Sequence, residues 1–213
     1  MHMDFDFAES VVAVSLRHAR KGTPIEKAWP QVVAAGRRKL GNTIAKTAFD
    51  LPITDSLVQV AATYSALIAR DRPGKGIKGF WFGLVQLYQG KSTTNTLITP
   101  YLAGAERFHP KDEDWPCNPA WLPEGRYAVN PAMYALSKLR RRAGDRMWLI
   151  DSMLIEPLNT LFCGAIVHGV HPDLLLGDAT TRGIGCGFDS GELRSLGMVD
   201  KHGFKPISSR RRP

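Results

Sequence analysis

Residues Met147–Val167 read MWLIDSMLIEPLNTLFCGAIV, the longest predominantly apolar stretch of the chain. Polar and charged residues interrupt it, so it contains no run of about 18 uninterrupted apolar residues of the kind that spans a membrane. We therefore predict a buried core helix that begins after a cap at Asp145, ends at about His168 and is kinked at Pro157. The expectation is a soluble domain without a membrane partner.

Further helices are predicted on the N-terminal side of this stretch. Four lie in the first third of the chain, and the first begins with a capping box at residues 6–9. Thr23-Pro24-Ile25-Glu26 is a stronger helix start, because it combines a hydroxyl cap with proline at the first helical position. Residues 57–68 carry the clearest apolar stripe at helical spacing. Asn130-Pro131 opens a basic helix that ends at about Ala143.

The remaining segments give less regular patterns. Phe80–Tyr88 is continuously apolar and aromatic, which fits a buried strand and a buried helix equally well. Residues 177–203 contain seven glycines, and this density favours turns, short strands or a loop over regular helix. We predict a mainly α, compact multi-helix domain at residues 1–176, with a minor β element near residues 80–99 or in the glycine-rich end. Residues 177–213 form a glycine-rich, basic C-terminal segment, packed on that domain or partly flexible.

The cysteines and the N-terminus predict the cellular compartment. Cys117, Cys163 and Cys186 are an odd and widely spaced set, whereas a disulfide-stapled secreted domain usually has an even and denser one. Met1–Phe7 is acidic and aromatic and lacks the basic and apolar regions of a signal peptide. We expect a reducing, cytoplasmic location.

The charge distribution predicts a polyanionic partner. The net charge is +8, and the basic residues are clustered. Residues 10–49 contain eight Lys or Arg and one acid, Glu26, and residues 210–212 are three consecutive arginines. Such segregation favours nucleic acid, although cations at the end of a helix also complement its dipole.

The favoured function is nucleic-acid binding by a non-catalytic subunit or accessory factor, with DNA and RNA both left open. Basic side chains would contact phosphates, and two loop aromatics would stack on bases. The predicted nucleic-acid-binding residues are Arg17, Arg20, Lys21, Arg37, Arg38, Lys39, Arg140, Arg141, Arg142, Arg146, Trp121 and Tyr127. We expect no cofactor.

Two other functions remain open on the sequence. A metal-dependent hydrolase or nuclease would use His168, His171 and Asp173, with Cys163 as a further ligand, although no established zinc spacing is present. A protein-interaction subunit of a larger assembly would use residues 109–131, which hold five prolines and two tryptophans.

Two glycine motifs do not reach a nucleotide-binding pattern. Gly90-Lys91-Ser92 lacks the glycine that a phosphate-binding loop needs five residues earlier, where Val85 stands. Gly183–Gly187 lacks the third glycine of a dinucleotide fingerprint, where Phe188 stands. We interpret the second motif as a flexible, turn-rich segment. None of these patterns points to a known family.

Overall fold

The computed structural model describes residues 5–88, 96–112, 114–189 and 193–207. The N-terminal half of the fold begins with four helices, which confirms the four predicted there. They are α1 (Phe5–Lys21), α2 (Ile25–Leu40), α3 (Asn42–Phe49) and α4 (Ile53–Arg70). Gly22 joins α1 to α2 with a φ of +63°, a left-handed conformation that favours glycine.

A five-stranded mixed sheet follows in the described residues, and it makes the mainly α prediction wrong. Its strands are β1 (Gly79–Tyr88), β2 (Thr96–Ala105), β3 (Thr181–Phe188), β4 (Leu193–Asp200) and β5 (Gly203–Pro206). The spatial order is β2-β1-β3-β4-β5. β1 and β3 are parallel, and the other neighbours are antiparallel. Of the described residues, 53% are helical and 22% are in β structure, so the protein is an α/β mixture.

The apolar stretch Met147–Val167 forms the central helical layer, as predicted. After α5 (Pro131–Arg142) come a 3₁₀ turn (Gly144–Arg146), α6 (Met147–Ile150), a π-helical turn (Asp151–Ile155), α7 (Glu156–Gly169) and α8 (Pro172–Leu176). The π turn lies just before Pro157, whose missing N–H cannot complete a regular helical hydrogen bond.

One helical segment in the described ranges, Gly144–Gly169, is long and apolar enough to cross a membrane by length and composition. Of its most apolar window, 83% is buried inside the protein. Burial of this extent is what the core helix of a folded domain has.

The helices cover one face of the sheet, which we call the helix face. Alternate residues of β1, namely Phe80, Phe82 and Leu84, belong to the large core that the helices share. Ile184 and Cys186 of β3 lie in the same core, and the Asn159 side chain of α7 donates a hydrogen bond to the Phe82 carbonyl over 2.8 Å.

Residues 106–130 cover the opposite face, which we call the loop face. Here Trp81, Tyr101 and Trp115 form a second, smaller core. Phe108 packs on Trp115 with 5.1 Å between ring centroids. Residues 79–84 of β1 and residues 182–187 of β3 are therefore buried on both faces.

Gly183–Gly187 lies in the central strand β3, so the flexible turn predicted for this motif is wrong, whereas the short strands allowed for residues 177–203 are present. A Cβ at Gly183 would lie 2.0 Å from the Phe108 ring, and one at Gly185 would lie 2.7 Å from Trp115. These glycines thus make room for aromatic rings on the loop face.

Arg182 fixes β3 at its start. Its side chain is fully buried, and it donates to the carbonyls of Pro73, Gly74 and Leu176. Burial lowers its pKa to about 10.

Candidate functional site

The basic C-terminal end of α2 contacts the 3₁₀ turn that follows the basic end of α5. The Arg146 guanidinium, just after α5, donates from Nη2 to the carbonyl oxygen of Lys39, at the end of α2, over 2.8 Å. This contact joins two clusters that are about 100 residues apart in the sequence. We call the joined cluster the helix-end patch, and it consists of Arg37, Arg38, Lys39, Arg141, Arg142 and Arg146.

The patch extends to the start of α1 through an aromatic side chain. The Arg38 guanidinium lies 5.0 Å from the centroid of the Phe7 ring, and the Lys39 ammonium lies 5.7 Å from it. Both distances are in the range of cation–π attraction. Phe7 therefore helps to hold two cations side by side at the surface.

Several patch cations carry charge that no ion pair offsets. In the described ranges Arg38, Arg142 and Arg146 form no salt bridge with a carboxylate. All three residues are exposed. Arg37 is also exposed, and its Nε donates to the Asn42 side chain over 2.9 Å.

The helix dipoles do not neutralise this patch. Each helix C-terminus carries roughly −0.5 elementary charge, so two ends contribute about −1. The carboxylates of Asp6 and Asp145, on neighbouring turns, add two more negative charges. The three charges of Arg38, Arg142 and Arg146 alone exceed the contribution of the two helix ends.

The predicted cations of α1 lie elsewhere. Because Phe7 sits beside the patch, Arg20 is thirteen residues further along the helix and about 20 Å away. Arg20 is half-buried and donates to the Ser195 carbonyl, and burial lowers its pKa. Arg17 and Lys21 are exposed at that far end. The structure thus separates these three residues from the other predicted phosphate contacts.

Arg140 is also separated from the patch by its partner. It forms a half-buried salt bridge with Asp151, with 2.7 Å between Nε and Oδ1. Burial raises the pKa of Asp151, and Arg140 opposes that rise. The pair ties α5 to the π-helical turn, which is a structural role.

A cavity of about 330 Å³ opens on the loop face, at the carboxyl ends of the parallel strands β1 and β3. Its walls include Trp81, Tyr101, Tyr127 and Phe188, with Asp189 and Arg126 as charged members. Cavities of this size and composition are typical of small-molecule sites.

A chain of hydrogen bonds orders the polar wall of this cavity. The Trp81 Nε1–H donates to the Tyr101 hydroxyl over 3.0 Å, and that hydroxyl donates to Asp189 Oδ1. Burial, with a further contribution from Asp189, raises the pKa of Tyr101 well above its usual range. The phenol therefore stays a donor, and Asp189 is fixed as an acceptor.

A glycine in β1 makes room for this arrangement. Gly83 lies directly opposite Tyr101 in the β1–β2 register, and a Cβ there would lie 2.1 Å from the Tyr101 ring. The ring therefore lies flat over the β1 backbone, with its hydroxyl directed towards the end of β3. Sequence reasoning missed Tyr101, Trp81 and Asp189. The available signal was the alternation of glycines at positions 183, 185 and 187, which Asp189 continues at the same spacing.

The two predicted stacking residues are placed differently. Tyr127 is 37% exposed at the cavity wall, and the Arg126 guanidinium lies 4.8 Å from its ring centroid. Trp121 is only 8% exposed, packs on Phe80 and donates its Nε1–H to the Asp71 carbonyl. Tyr127 is thus available for stacking, and Trp121 serves the core.

The four candidate metal ligands do not converge. Cys163 is fully buried in α7, and the His168 ring packs edge-on against Phe204 at 4.9 Å. His171 and Asp173 contact each other over 3.5 Å, but both are highly exposed. Within the described part of the chain, no group of three or more His, Cys, Asp or Glu could hold a metal ion.

Two features named from the sequence, Gly90-Lys91-Ser92 and residues 210–212, lie outside the described residues.

Comparison with protein-family models, with curated proteins and with solved structures finds no match.

Proposed function

We propose that the protein binds nucleic acid through the helix-end patch, as a non-catalytic subunit or accessory factor. The observation that carries the proposal is the Arg146–Lys39 contact, because it joins the ends of α2 and α5 into one basic surface. Guanidinium groups suit phosphates, since each offers several donors in a planar fork. Contacts of this kind supply affinity and little sequence preference.

Two patch cations also lack the internal partners that other arginines have. Arg20, Arg140, Arg182 and Arg194 are all engaged by carbonyls or carboxylates of the fold. Arg38 and Arg142 form no hydrogen bond and no salt bridge within the described part of the chain. A polyanion would release its condensed counterions on binding there, which favours association at low salt.

The test is fluorescence anisotropy with labelled single- and double-stranded DNA and RNA over a range of salt concentrations. The variant is the triple substitution Arg38→Glu, Arg142→Glu, Arg146→Glu. We expect at least a tenfold loss of affinity at low salt, and a log–log salt slope shallower by about two to three, since each phosphate contact contributes about 0.7–0.9.

The matched control changes the same number of charges away from the patch. Lys27, Lys75 and Lys201 are exposed, and Lys27 lies at the opposite end of α2. Their triple change to Glu should retain most of the affinity. Equal losses in both triple variants, or no binding by the wild type at low salt, would exclude the patch as the binding surface.

A double variant at the far end of α1 locates the binding surface further. Arg17→Glu, Lys21→Glu should weaken binding less than the patch variant, because these residues lie about 15 Å and about 20 Å from Phe7 along α1. A larger loss in this variant would move the interface to the other end of the α1–α2 hairpin.

A further inference from the structure

The polar groups of the loop-face cavity limit the chemistry of the ligand that it can bind. Trp81 and Tyr101 already use their donors within the protein, on the Tyr101 oxygen and on Asp189. The carboxylate of Asp189 keeps further acceptor capacity, since each oxygen has two lone pairs. At this end a ligand must therefore present hydrogen-bond donors.

The charged groups of the wall also limit the ligand's charge. Arg126 lies over Tyr127 and donates one N–H to the Tyr127 hydroxyl, which leaves further guanidinium donors. Its positive charge disfavours a simple cation, and Asp189 disfavours a simple anion. A dipolar ligand fits both groups, with neutral donors at Asp189 and an anionic group at Arg126.

The walls between these groups are aromatic. Tyr127, which is 37% exposed, and the half-buried Phe188 offer ring surface, whereas the rings of Trp81 and Tyr101 are almost fully buried in the wall. A nucleobase stacks on aromatic surfaces whatever its identity. Among the common bases, guanine alone places a ring N–H beside an exocyclic amino group, so that two parallel donors face one carboxylate.

We propose that this cavity binds one guanine nucleotide, with the Watson–Crick edge of the base on Asp189 and the phosphate near Arg126. The ligand is a free nucleotide or an unpaired guanine within a strand, and only the second case rests on the proposed function. The location fits, because ligands of α/β sheets commonly bind beyond the carboxyl ends of parallel strands.

The first test titrates the full chain with GMP, AMP, CMP and UMP, followed by calorimetry and by the fluorescence of the tryptophans, among which Trp81 lines the cavity. We expect saturable binding with GMP favoured over UMP by at least about tenfold, since a bidentate base contact discriminates to that degree. Absence of saturable binding by all four nucleotides would overturn the proposal.

The second test uses variants of the two charged groups. Asp189→Asn should lose GMP affinity by about tenfold or more and gain preference for xanthosine monophosphate, whose N–H and carbonyl match an amide. Asp50→Asn, at an exposed carboxylate elsewhere, is the control. Unchanged GMP binding in Asp189→Asn, or a stronger affinity for a zwitterionic aromatic amino acid than for GMP, would overturn the assignment.

Arg126→Gln separates the base from the phosphate. It should weaken GMP binding and leave guanosine binding nearly unchanged; an equal loss for both ligands would contradict the placement of the phosphate.

Oligonucleotides with one unpaired guanine, compared with all-uridine strands, distinguish a free ligand from a strand. GMP binding without oligonucleotide binding would contradict the helix-end patch alone, and the reverse result would contradict the cavity alone.

Discussion

The two faces of the sheet are buried by different means. On the helix face, large aliphatic and aromatic side chains of β1 and β3 meet α4 and α7. On the loop face, the strands present glycines, and aromatic rings from β1, β2 and residues 106–130 fill the space above them. The comparison teaches that a segment without regular secondary structure can close a core as fully as a layer of helices.

The largest expected effect tests whether both faces stabilise the fold to a similar degree. Phe82 on the helix face is 2% exposed, and Trp115 on the loop face is 1% exposed. Phe82→Ala and Trp115→Ala should each lower the free energy of unfolding by about 3–5 kcal/mol, because each leaves a large cavity. Chemical denaturation measures both.

The control for this pair is Val129→Ala, which changes a side chain that is 60% exposed and should have little effect. A loss below about 1 kcal/mol for Trp115→Ala would mean that the loop is a loose cover and not part of the core.

A smaller effect tests the glycine side of the comparison. Gly185→Ala would place a Cβ 2.7 Å from the Trp115 ring, and overpacking of this kind costs about 1–3 kcal/mol. The matched control is Gly76→Ala, where no atom lies within 4 Å of the added carbon.

The origin of the Gly185 effect can be checked with a double variant. Because the clash is with Trp115, the double variant should lose less free energy of unfolding than the sum of the losses in Gly185→Ala and Trp115→Ala. Thermal or chemical unfolding measures all three variants. Full additivity would show that the ring and the glycine do not oppose each other.

One buried tyrosine on each face allows a finer comparison. Tyr64 packs on Phe82, and its hydroxyl has no hydrogen-bond partner among the described residues. Tyr101 has two partners, Trp81 and Asp189. Tyr101→Phe should therefore cost about 1–3 kcal/mol in urea unfolding, whereas Tyr64→Phe should be neutral or stabilising. The reverse ranking would contradict the ordered polar wall.

The smallest expected effect concerns alkaline pH. Burial raises the pKa of both Tyr64 and Tyr101 above the unfolded value of about 10. Their contribution to stability is thus fully present below pH 10 and is lost as the pH rises beyond it, because the unfolded chain then releases protons that the folded protein retains. Each Tyr→Phe variant should flatten this alkaline decline in unfolding free energy between about pH 9 and 11. An unchanged decline would contradict the buried setting of that tyrosine.

The sequence predicted the helices well, because apolar spacing is a local signal. The cap at Asn130 is present, whereas the caps predicted at Thr23 and Asp145 are not: α2 begins without a side-chain cap, and Asp145 lies within the 3₁₀ turn.

A β element was predicted near residues 80–99 or in the glycine-rich end, and strands lie at both places, but the extent of the sheet was underestimated. Strands buried on both faces read as continuous apolar runs, without the alternation of a half-exposed strand. β3 was obscured further by its glycines, which are disfavoured in strands. Their spacing at positions 183, 185 and 187 was the usable signal, but the rings above them come from distant residues.

The candidate sites were predictable only in part. The clusters at residues 37–39 and 140–146 are visible in the sequence, but their contact through Arg146 depends on tertiary packing. In the folded protein Arg140 forms a salt bridge with Asp151, and Trp121 is buried in the core. No local sequence pattern predicts either contact. The cavity joins Trp81, Tyr127 and Asp189 from three distant segments, so it could not be derived from spacing.

The parallel pairing of β1 with β3 has a consequence for biosynthesis. Residues 89–180, 92 in all, must leave the ribosome before the strand that completes the middle of the sheet can pair. Until then a nascent chain presents one apolar edge of β1 without its neighbour, and exposed edges of this kind attract other chains. Translation that stalls in this interval should produce aggregation-prone fragments that depend on chaperones, although the finished protein covers that edge completely.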